Sequence, residues 1–193
     1  MIVRILCEDY RSDQYVARPL IKAMLTALGR PRARVEIIRD PLLGSVTAAL
    51  DWRRIEPILD RYRAMTSMFI LLVDRDGNAH RIEALQNLED KARLLQNCVM
   101  FGENAWQEIE VWALAGQLDL PGDWSWADVR SDPHPKETYF EPYVRMRGLE
   151  ETPGRGRQML GREAARRYTR VRQLCSEDVA HLETRLEAFL AAS

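Results

Sequence analysis

The feature that most constrains the fold is a run of six apolar residues, 68–73, that leads directly into the sequence Asp-Arg-Asp-Gly at 74–77. An uninterrupted apolar run of this length, closed by glycine, predicts a strand that is buried on both faces. Because residues two apart on a strand face the same way, we expect Asp74 and Asp76 to point together beyond its carboxyl end. The alternative is a hairpin turn of the Asp-Gly kind.

The first 118 residues alternate between patterns typical of strands and of helices. The other predicted strands are 2–6, 35–38 and 98–101, and the predicted helices are 20–28, 46–62, 82–96 and 106–117. Pro57 could split the helix at 46–62. Pro19 is placed near the start of the first helix, since a proline further inside would remove a hydrogen bond, and Gly29 is placed after its end. This alternation predicts a three-layer α/β domain with a mostly parallel central sheet.

The remainder, 119–193, is expected to be a loop-rich insertion followed by C-terminal helices that pack on the same domain as the core, 1–118. Pro and Gly interrupt the segment 121–135, which predicts a long loop. Helices are predicted at 162–174 and 177–191, the second capped by Ser176.

Composition narrows the choice of partners and compartment. The 193 residues carry a formal net charge of −1, so any attraction to nucleic acid has to be local. No signal-peptide pattern and no stretch of about 20 apolar residues occurs, so we expect a cytoplasmic protein with no membrane partner. Three widely spaced cysteines fit neither a disulfide framework nor a zinc site, and we expect them to be reduced and mostly buried.

Acidic residues follow two of the predicted strands. Glu8 follows the first strand, and Asp74 and Asp76 follow the apolar run. Because the carboxyl ends of parallel strands meet at one edge of a sheet, we expect the three carboxylates to be neighbours. Carboxylate oxygens are the ligands that hard divalent cations prefer, so the sequence predicts a metal site at this edge.

A Glu after one strand and an Asp-x-Asp after a later one resembles the pattern of the Toprim domain, over residues 2–117. The segment 104–115, Asn-Ala-Trp-Gln-Glu-Ile-Glu-Val-Trp-Ala-Leu-Ala, is similar to the Glu-Ile-Glu-Ala-Trp-Leu-Leu helix of small bacterial Toprim proteins related to the nuclease part of OLD-family enzymes. The resemblance implies a Toprim-like, Rossmann-like fold. It also implies phosphodiester hydrolysis that depends on Mg²⁺ or Mn²⁺, in a protein that could act as a phage-defence effector with a separately encoded ATPase.

The resemblance also implies roles for individual residues. Glu8 would be a metal ligand or general acid/base, and Asp74 and Asp76 would hold the cation. A further acid would support a second metal, either Glu108 or Glu110. On a helix these two diverge by about 200°, and we favour Glu108 because it lies nearer the helix N-terminus.

Two further positions bear on activity. Lys136 resembles a Pro-Lys segment of the same Toprim branch and would stabilise charge in the transition state. Asp9 stands where Toprim proteins commonly have Gly, and it could join the metal site or disturb its geometry. Ser12-Asp13 could stand in for a second acidic motif. A catalytically inactive Toprim-like module that binds nucleic acid or a partner ATPase therefore remains an alternative.

Arginine is concentrated late in the chain, with nine Arg against three Glu between Arg145 and Arg172. Arg162, Arg166 and Arg170 recur at i, i+4 and i+8, which predicts a single basic stripe on one helix. Arg155 and Arg157 alternate with glycines in a flexible loop that could close on a nucleic-acid backbone. The arginines expected to contact nucleic acid are Arg155, Arg157, Arg162, Arg166 and Arg170. The alternative is charge matching with the acidic segment 103–132, within the chain or across a homodimer.

Two other resemblances stay open. The apolar run into Asp-Arg-Asp-Gly-Asn is similar to the nucleophile motif of haloacid-dehalogenase-type phosphatases, in which Asp74 would be the nucleophile. Glu8 and Asp9 before a helix resemble the acidic pair of phosphoryl-receiver domains. His80 lies four residues beyond Asp76 and could reach the site.

Overall fold

The computed structural model describes residues 1–192 and shows an α/β fold built on one four-stranded sheet. Its strands are β1 (Ile2–Cys7), β2 (Arg34–Ile37), β3 (Met68–Asp74) and β4 (Met100–Ala105). They lie in the order β2-β1-β3-β4 and all pairs are parallel. The predicted α/β class with a parallel sheet is confirmed. The hairpin alternative is wrong, because a helix and a crossover separate β3 from its parallel neighbour β4.

Ten α-helices lie between and after the strands within residues 1–192. They are α1 (Tyr10–Ala27), α2 (Val46–Ala49), α3 (Trp52–Tyr62), α4 (Arg81–Arg93), α5 (Glu110–Ala115), α6 (Trp126–Ser131), α7 (Glu141–Met146), α8 (Arg157–Arg166), α9 (Tyr168–Leu174) and α10 (His181–Ala192). A 3₁₀ turn at Arg63–Met65 and π-helical turns at Lys136–Phe140 and Ser176–Ala180 complete the elements. Ser193, the end of the predicted C-terminal segment, lies outside the described residues.

The sheet is buried on both faces. Alternate residues of β3 enter different cores: Ile70 lies in the core shared with α1, α5 and the C-terminal helices, and Leu71 lies in the core beneath α2, α3 and α4. The first core contains residues from both parts of the chain, such as Trp112 and Leu182. The C-terminal helices therefore complete one of the two layers that cover the sheet.

The first helix is longer than predicted, and its proline lies inside it. Helix α1 begins at Tyr10 and contains Pro19. Pro19 has no N–H to donate to the carbonyl of Tyr15 one turn earlier. Gly161 of α8 lies against this carbonyl so closely that a Cβ there would overlap it. The predicted stop is confirmed, since Gly29 follows the helix with φ of +75°.

Three other helix predictions were wrong in their bounds. The helix predicted at 106–117 begins only at Glu110, because Gln107 adopts a positive φ of 68°. The region 46–62 is two helices, and Asp51 caps the second by accepting the N–H of Arg53. Ser176 does not cap α10. It begins a π-helical turn, and its hydroxyl donates to Glu177 instead.

Two expectations from composition were also checked. All three cysteines are buried and unpaired by disulfides, as predicted. No helix in the described part of the chain is long and apolar enough to cross a membrane.

Candidate active site at the carboxyl edge of the sheet

Acidic side chains from several elements converge where β1 and β3 end. Glu8 follows β1, Asp74 is the last residue of β3, and α1 and α5 bring acids in their first turns. Their charges act on one another strongly enough to shift one another's pKa values. We call this group the acid cluster; its members are Glu8, Asp13, Asp74, Asp76, Glu108 and Glu110.

Asp74 is held at the centre of the acid cluster. Its Oδ1 accepts the backbone N–H of Ile109 at 2.9 Å. Burial, followed by the charges of Glu110 and Asp13, raises the pKa of Asp74 well above its usual range. Burial and the neighbouring carboxylates therefore both disfavour the ionised form of Asp74, and a positive charge placed beside it would favour that form.

Glu8 carries a buried oxygen that has no donor. The side chain is half-buried, and its Oε2 finds no hydrogen-bond partner among residues 1–192. Burial and then the charge of Asp76 raise the pKa of Glu8. A buried carboxylate oxygen without a partner is unfavourable, so this atom is suited to accept a cation or an ordered water.

Asp76 reaches the site from a turn. The strand ends at Asp74, and Asp76 has a left-handed φ of 43°. The turn is fixed by Gln107, whose carbonyl accepts the N–H of Asp76 at 3.0 Å and whose side-chain oxygen accepts the N–H of Gly77 at 2.8 Å. We predicted that Asp74 and Asp76 point the same way because they are two apart on one strand. This reason is wrong, because Asp76 lies in the turn after the strand.

A guanidinium already lies among these acids. Arg81 Nη1 lies 2.7 Å from Asp76 Oδ2 and also donates to the carbonyl of Asp74. The side chain of Arg81 is only 11% exposed. Its charge lowers the pKa of Glu8, opposing the effects of burial and of Asp76. Arg81 thus takes the electrostatic place that a bound cation would fill.

The two glutamates near α5 are both close to the site. Glu108 precedes the helix, so the predicted divergence of about 200° does not apply. Glu110 is buried, and its charge is the largest that acts on Asp74. Glu110 therefore acts on Asp74 more strongly than Glu108 does, and the choice of Glu108 as a metal ligand stays a prediction. Burial raises the pKa of Glu108 itself to about 7.

Lys136 lies beside these glutamates. Its backbone N–H donates to Glu108 Oε2 at 2.8 Å, and its ammonium is 3.6 Å from Glu137. Burial lowers the pKa of Lys136, but the charges of Glu110 and Glu137 outweigh this effect and raise it. A cation is therefore available at the rim of the acid cluster.

Asp13 belongs to the acid cluster, whereas the side chain of Asp9 is engaged at the start of α1. Asp13 Oδ2 accepts the N–H of Asp9 at 3.0 Å, and burial followed by the charge of Glu110 raises the pKa of Asp13 to about 7. The side chain of Asp9 instead caps α1 and pairs with Arg11 at 2.8 Å. That hydrogen bond lowers the pKa of Asp9.

The predicted arginine surface is only partly present. Arg157 is buried, and its Nε donates to Glu110 at 2.8 Å, so it is a structural partner of the acid cluster. The single stripe is wrong, because α8 ends at Arg166, α9 begins at Tyr168, and Arg170 donates to the carbonyl of Ala115. Four of the five predicted arginines are exposed: Arg155, Arg162, Arg166 and Arg170.

Gln107 and Arg81 contribute to the site although the sequence analysis did not predict them. His80 was a candidate, but it does not contact the acid cluster. Gln107 has no pattern that could have revealed it. Arg81 carries a weak signal, because a cation in the first turn of a helix opposes the helix dipole and needs another reason to be there. His80 is 86% exposed and lies 3.6 Å from Glu83, away from the acids.

The acid cluster has the donor chemistry of a hard-cation site, and the unpartnered oxygen of Glu8 fits a ligand role. In the side-chain arrangement described here, no three His, Cys, Asp or Glu residues of 1–192 are grouped as ligands of one metal ion. The positive charge beside Asp76 is that of Arg81. No protein-family model, curated protein or solved structure matches this chain.

Proposed function

We propose that this chain is a divalent-metal-dependent nuclease of the Toprim type, hydrolysing phosphodiesters at the acid cluster. The observation that supports it best is the convergence of six carboxylates whose burial and mutual repulsion raise the pKa of four of them. Such a group is electrostatically unfavourable when ionised without a counter-charge. Mg²⁺ or Mn²⁺ would supply that charge through hard oxygen ligands.

In this proposal Asp74 and Asp76 would hold the cation, with Glu110 or Glu108 as a further ligand. A cation bound there lowers the pKa of water and neutralises phosphoryl oxygens. Glu8, which has an unpartnered oxygen and a raised pKa, would either be a further ligand or accept the proton of the attacking water, and the departing oxygen would take a proton from solvent. Lys136 offsets the negative charge that develops on the phosphate.

A second candidate is a Toprim-like module that binds nucleic acid or a partner ATPase without cutting. The ion pair between Arg81 and Asp76 favours it, because one proposed metal ligand is already neutralised. The roles in phage defence and with an ATPase rest on the family resemblance alone.

Cleavage of supercoiled plasmid in Mg²⁺ or Mn²⁺ distinguishes the two candidates. Wild type is compared with Asp74→Asn/Asp76→Asn, in which an amide oxygen can still accept the Ile109 N–H. A matched control, Asp123→Asn/Glu187→Gln, removes two exposed acids outside the acid cluster. The nuclease proposal expects nicking by wild type and control and none by the cluster variant. Nicking by all three would reveal a contaminant, and no nicking by wild type would favour the binding module.

A further inference from the structure

A groove on the outer surface of α1 is lined with cations. Its central part has a volume of about 570 Å³ and lies between α1, α8 and the chain that leaves β2. The polar residues that line this part are Gln14, Arg18, Lys22, Arg39, Gln158 and Arg162. Two smaller depressions adjoin it: one shares Gln158 and Arg162 and adds Arg166, and the other shares Arg18 and Lys22 and adds Arg34.

We call this continuous surface the basic groove, and it carries a large excess of positive charge. Its cations are Arg18, Lys22, Arg34, Arg39, Arg162 and Arg166. The two acids in its lining already have partners: Glu36 pairs with Arg4 at 3.0 Å and Arg34 at 2.9 Å, and Glu163 pairs with Arg147 at 3.2 Å. This excess of four charges stands in a protein whose net charge is −1.

Most of these cations are not neutralised within the chain. Among the described residues, no carboxylate forms an ion pair with Arg18, Lys22, Arg39, Arg162 or Arg166. Lys22 donates to the carbonyls of Pro31 and Ala33, and Arg39 donates to Gln14 Oε1 at 3.1 Å. Neutral acceptors orient the side chains and leave their charge available to an anionic partner.

The position of the basic groove relates it to the acid cluster. Asp13 of the cluster directly precedes Gln14 of the groove on α1. From Gln14 the groove follows α1 to Lys22, a distance of about 12 Å at 1.5 Å per residue. This length matches about three phosphates on one strand of a duplex, at about 3.4 Å each along the axis.

We infer that the basic groove binds the sugar-phosphate backbone of nucleic acid and leads it to the acid cluster. Five of its six cations are Arg, whose planar fork matches phosphate oxygens. Contacts to the backbone carry no base information, so binding is independent of sequence. The inference rests on the proposed function for the choice of this polyanion. It replaces the predicted stripe by a surface to which α1, α8 and the β2 region contribute two cations each.

Binding of labelled 20-residue DNA, single-stranded and duplex, tests this by fluorescence anisotropy in EDTA over a series of KCl concentrations. Arg18→Glu/Arg162→Glu reverses two exposed charges in the groove. The matched control, Arg54→Glu/Lys91→Glu, makes the same net change on α3 and α4 across the sheet. Thermal melts verify that both variants are folded.

The groove variant is expected to bind DNA at least about tenfold more weakly than wild type. The slope of its log affinity against log KCl concentration should be shallower by the amount that corresponds to about two phosphate contacts. The control is expected to stay within about threefold of wild type. Equal losses in both variants, or no binding by wild type, would overturn the inference.

The assay separates this inference from the proposed nuclease. Since EDTA removes divalent metal, Asp74→Asn/Asp76→Asn is expected to bind at least as tightly as wild type. Groove-dependent binding without plasmid cleavage would defeat the nuclease and uphold the groove. Cleavage by a protein whose groove variant binds like wild type would defeat the groove alone.

Discussion

The guanidinium of Arg81 lies 2.7 Å from the carboxylate of Asp76, although Arg81 is the first residue of α4. A cation at a helix N-terminus opposes the helix dipole. We explain the position of Arg81 by the acid cluster: the attraction of the carboxylates to the guanidinium outweighs its unfavourable interaction with the helix dipole. Arg81 and a divalent metal ion are therefore expected to compete.

Arg81→Gln tests this competition. Loss of the guanidinium should destabilise the metal-free protein by about 1–2 kcal/mol, because the acids lose their partner. The same change should strengthen Mn²⁺ binding by about threefold or more, since a positive neighbour is removed. Thermal unfolding and Mn²⁺ titration measure the two effects. Arg93→Gln, which removes an exposed cation from the same helix, is the control. Unchanged or weaker Mn²⁺ binding would contradict competition.

The raised pKa of Asp13 predicts a dependence of stability on pH. Burial places this pKa at about 7, against about 4 for an unfolded Asp. Between these values the folded state binds more protons, so this residue makes the protein less stable as the pH rises from about 4 to 7. Asp13→Asn should remove this loss and raise the free energy of unfolding at pH 8 by on the order of 2 kcal/mol.

Urea unfolding at pH 5 and pH 8 checks this prediction. The exposed Asp123→Asn serves as the control and should shift neither value appreciably. An Asp13→Asn protein with the wild-type difference between the two pH values would show that Asp13 ionises normally in the folded state.

The buried pair of Arg157 and Glu110 should be important for stability. Both residues are buried, and removing the cation leaves Glu110 charged beside Asp74. Arg157→Met should therefore destabilise the protein by about 3 kcal/mol, while Arg157→Met/Glu110→Met should cost less than the single change. Arg155→Met changes an exposed neighbour and should be nearly neutral. A double variant less stable than Arg157→Met would mean that packing, and not the uncompensated charge, dominates.

Close contact of α8 with α1 should make Gly161 intolerant of substitution. A Cβ at this position would overlap the carbonyl of Tyr15. Gly161→Ala is expected to destabilise the protein by about 2 kcal/mol despite the higher helix propensity of Ala. Gly122→Ala meets no atom within 4 Å and should change stability little. Thermal melts that coincide for wild type and Gly161→Ala would argue against close packing here.

Local patterns were sufficient to predict the sheet but only part of the candidate site. The apolar run before Asp74 predicted a central strand because burial on both faces leaves a simple pattern, and Glu8 followed from the rule for parallel strand ends. Asp76 was assigned to the right edge for the wrong reason, since the turn that carries it depends on Gln107, 30 residues away in sequence. Such long-range hydrogen bonds have no periodicity.

The arginines illustrate the same limit. Arg155 and Arg157 look equivalent in sequence, yet one is exposed and the other is buried against Glu110. The distinction depends on where α8 packs, which the sequence pattern does not contain. In contrast, Gln14, Arg18 and Lys22 recur at i, i+4 and i+8 on α1, a signal that could have revealed the basic groove.

The central claim is that the acid cluster binds a divalent cation, and calorimetric titration with Mn²⁺ at pH 7.5 tests it most directly. Wild type should show saturable binding accompanied by proton release, because the carboxyls with raised pKa release their protons to the buffer when the metal binds. The release is measured as a dependence of the heat on the ionisation enthalpy of the buffer. Asp74→Asn/Asp76→Asn should lose this binding, and Asp123→Asn/Glu187→Gln should retain it. Absence of saturable binding by wild type at millimolar Mn²⁺, or equal binding by the cluster variant, would contradict the claim.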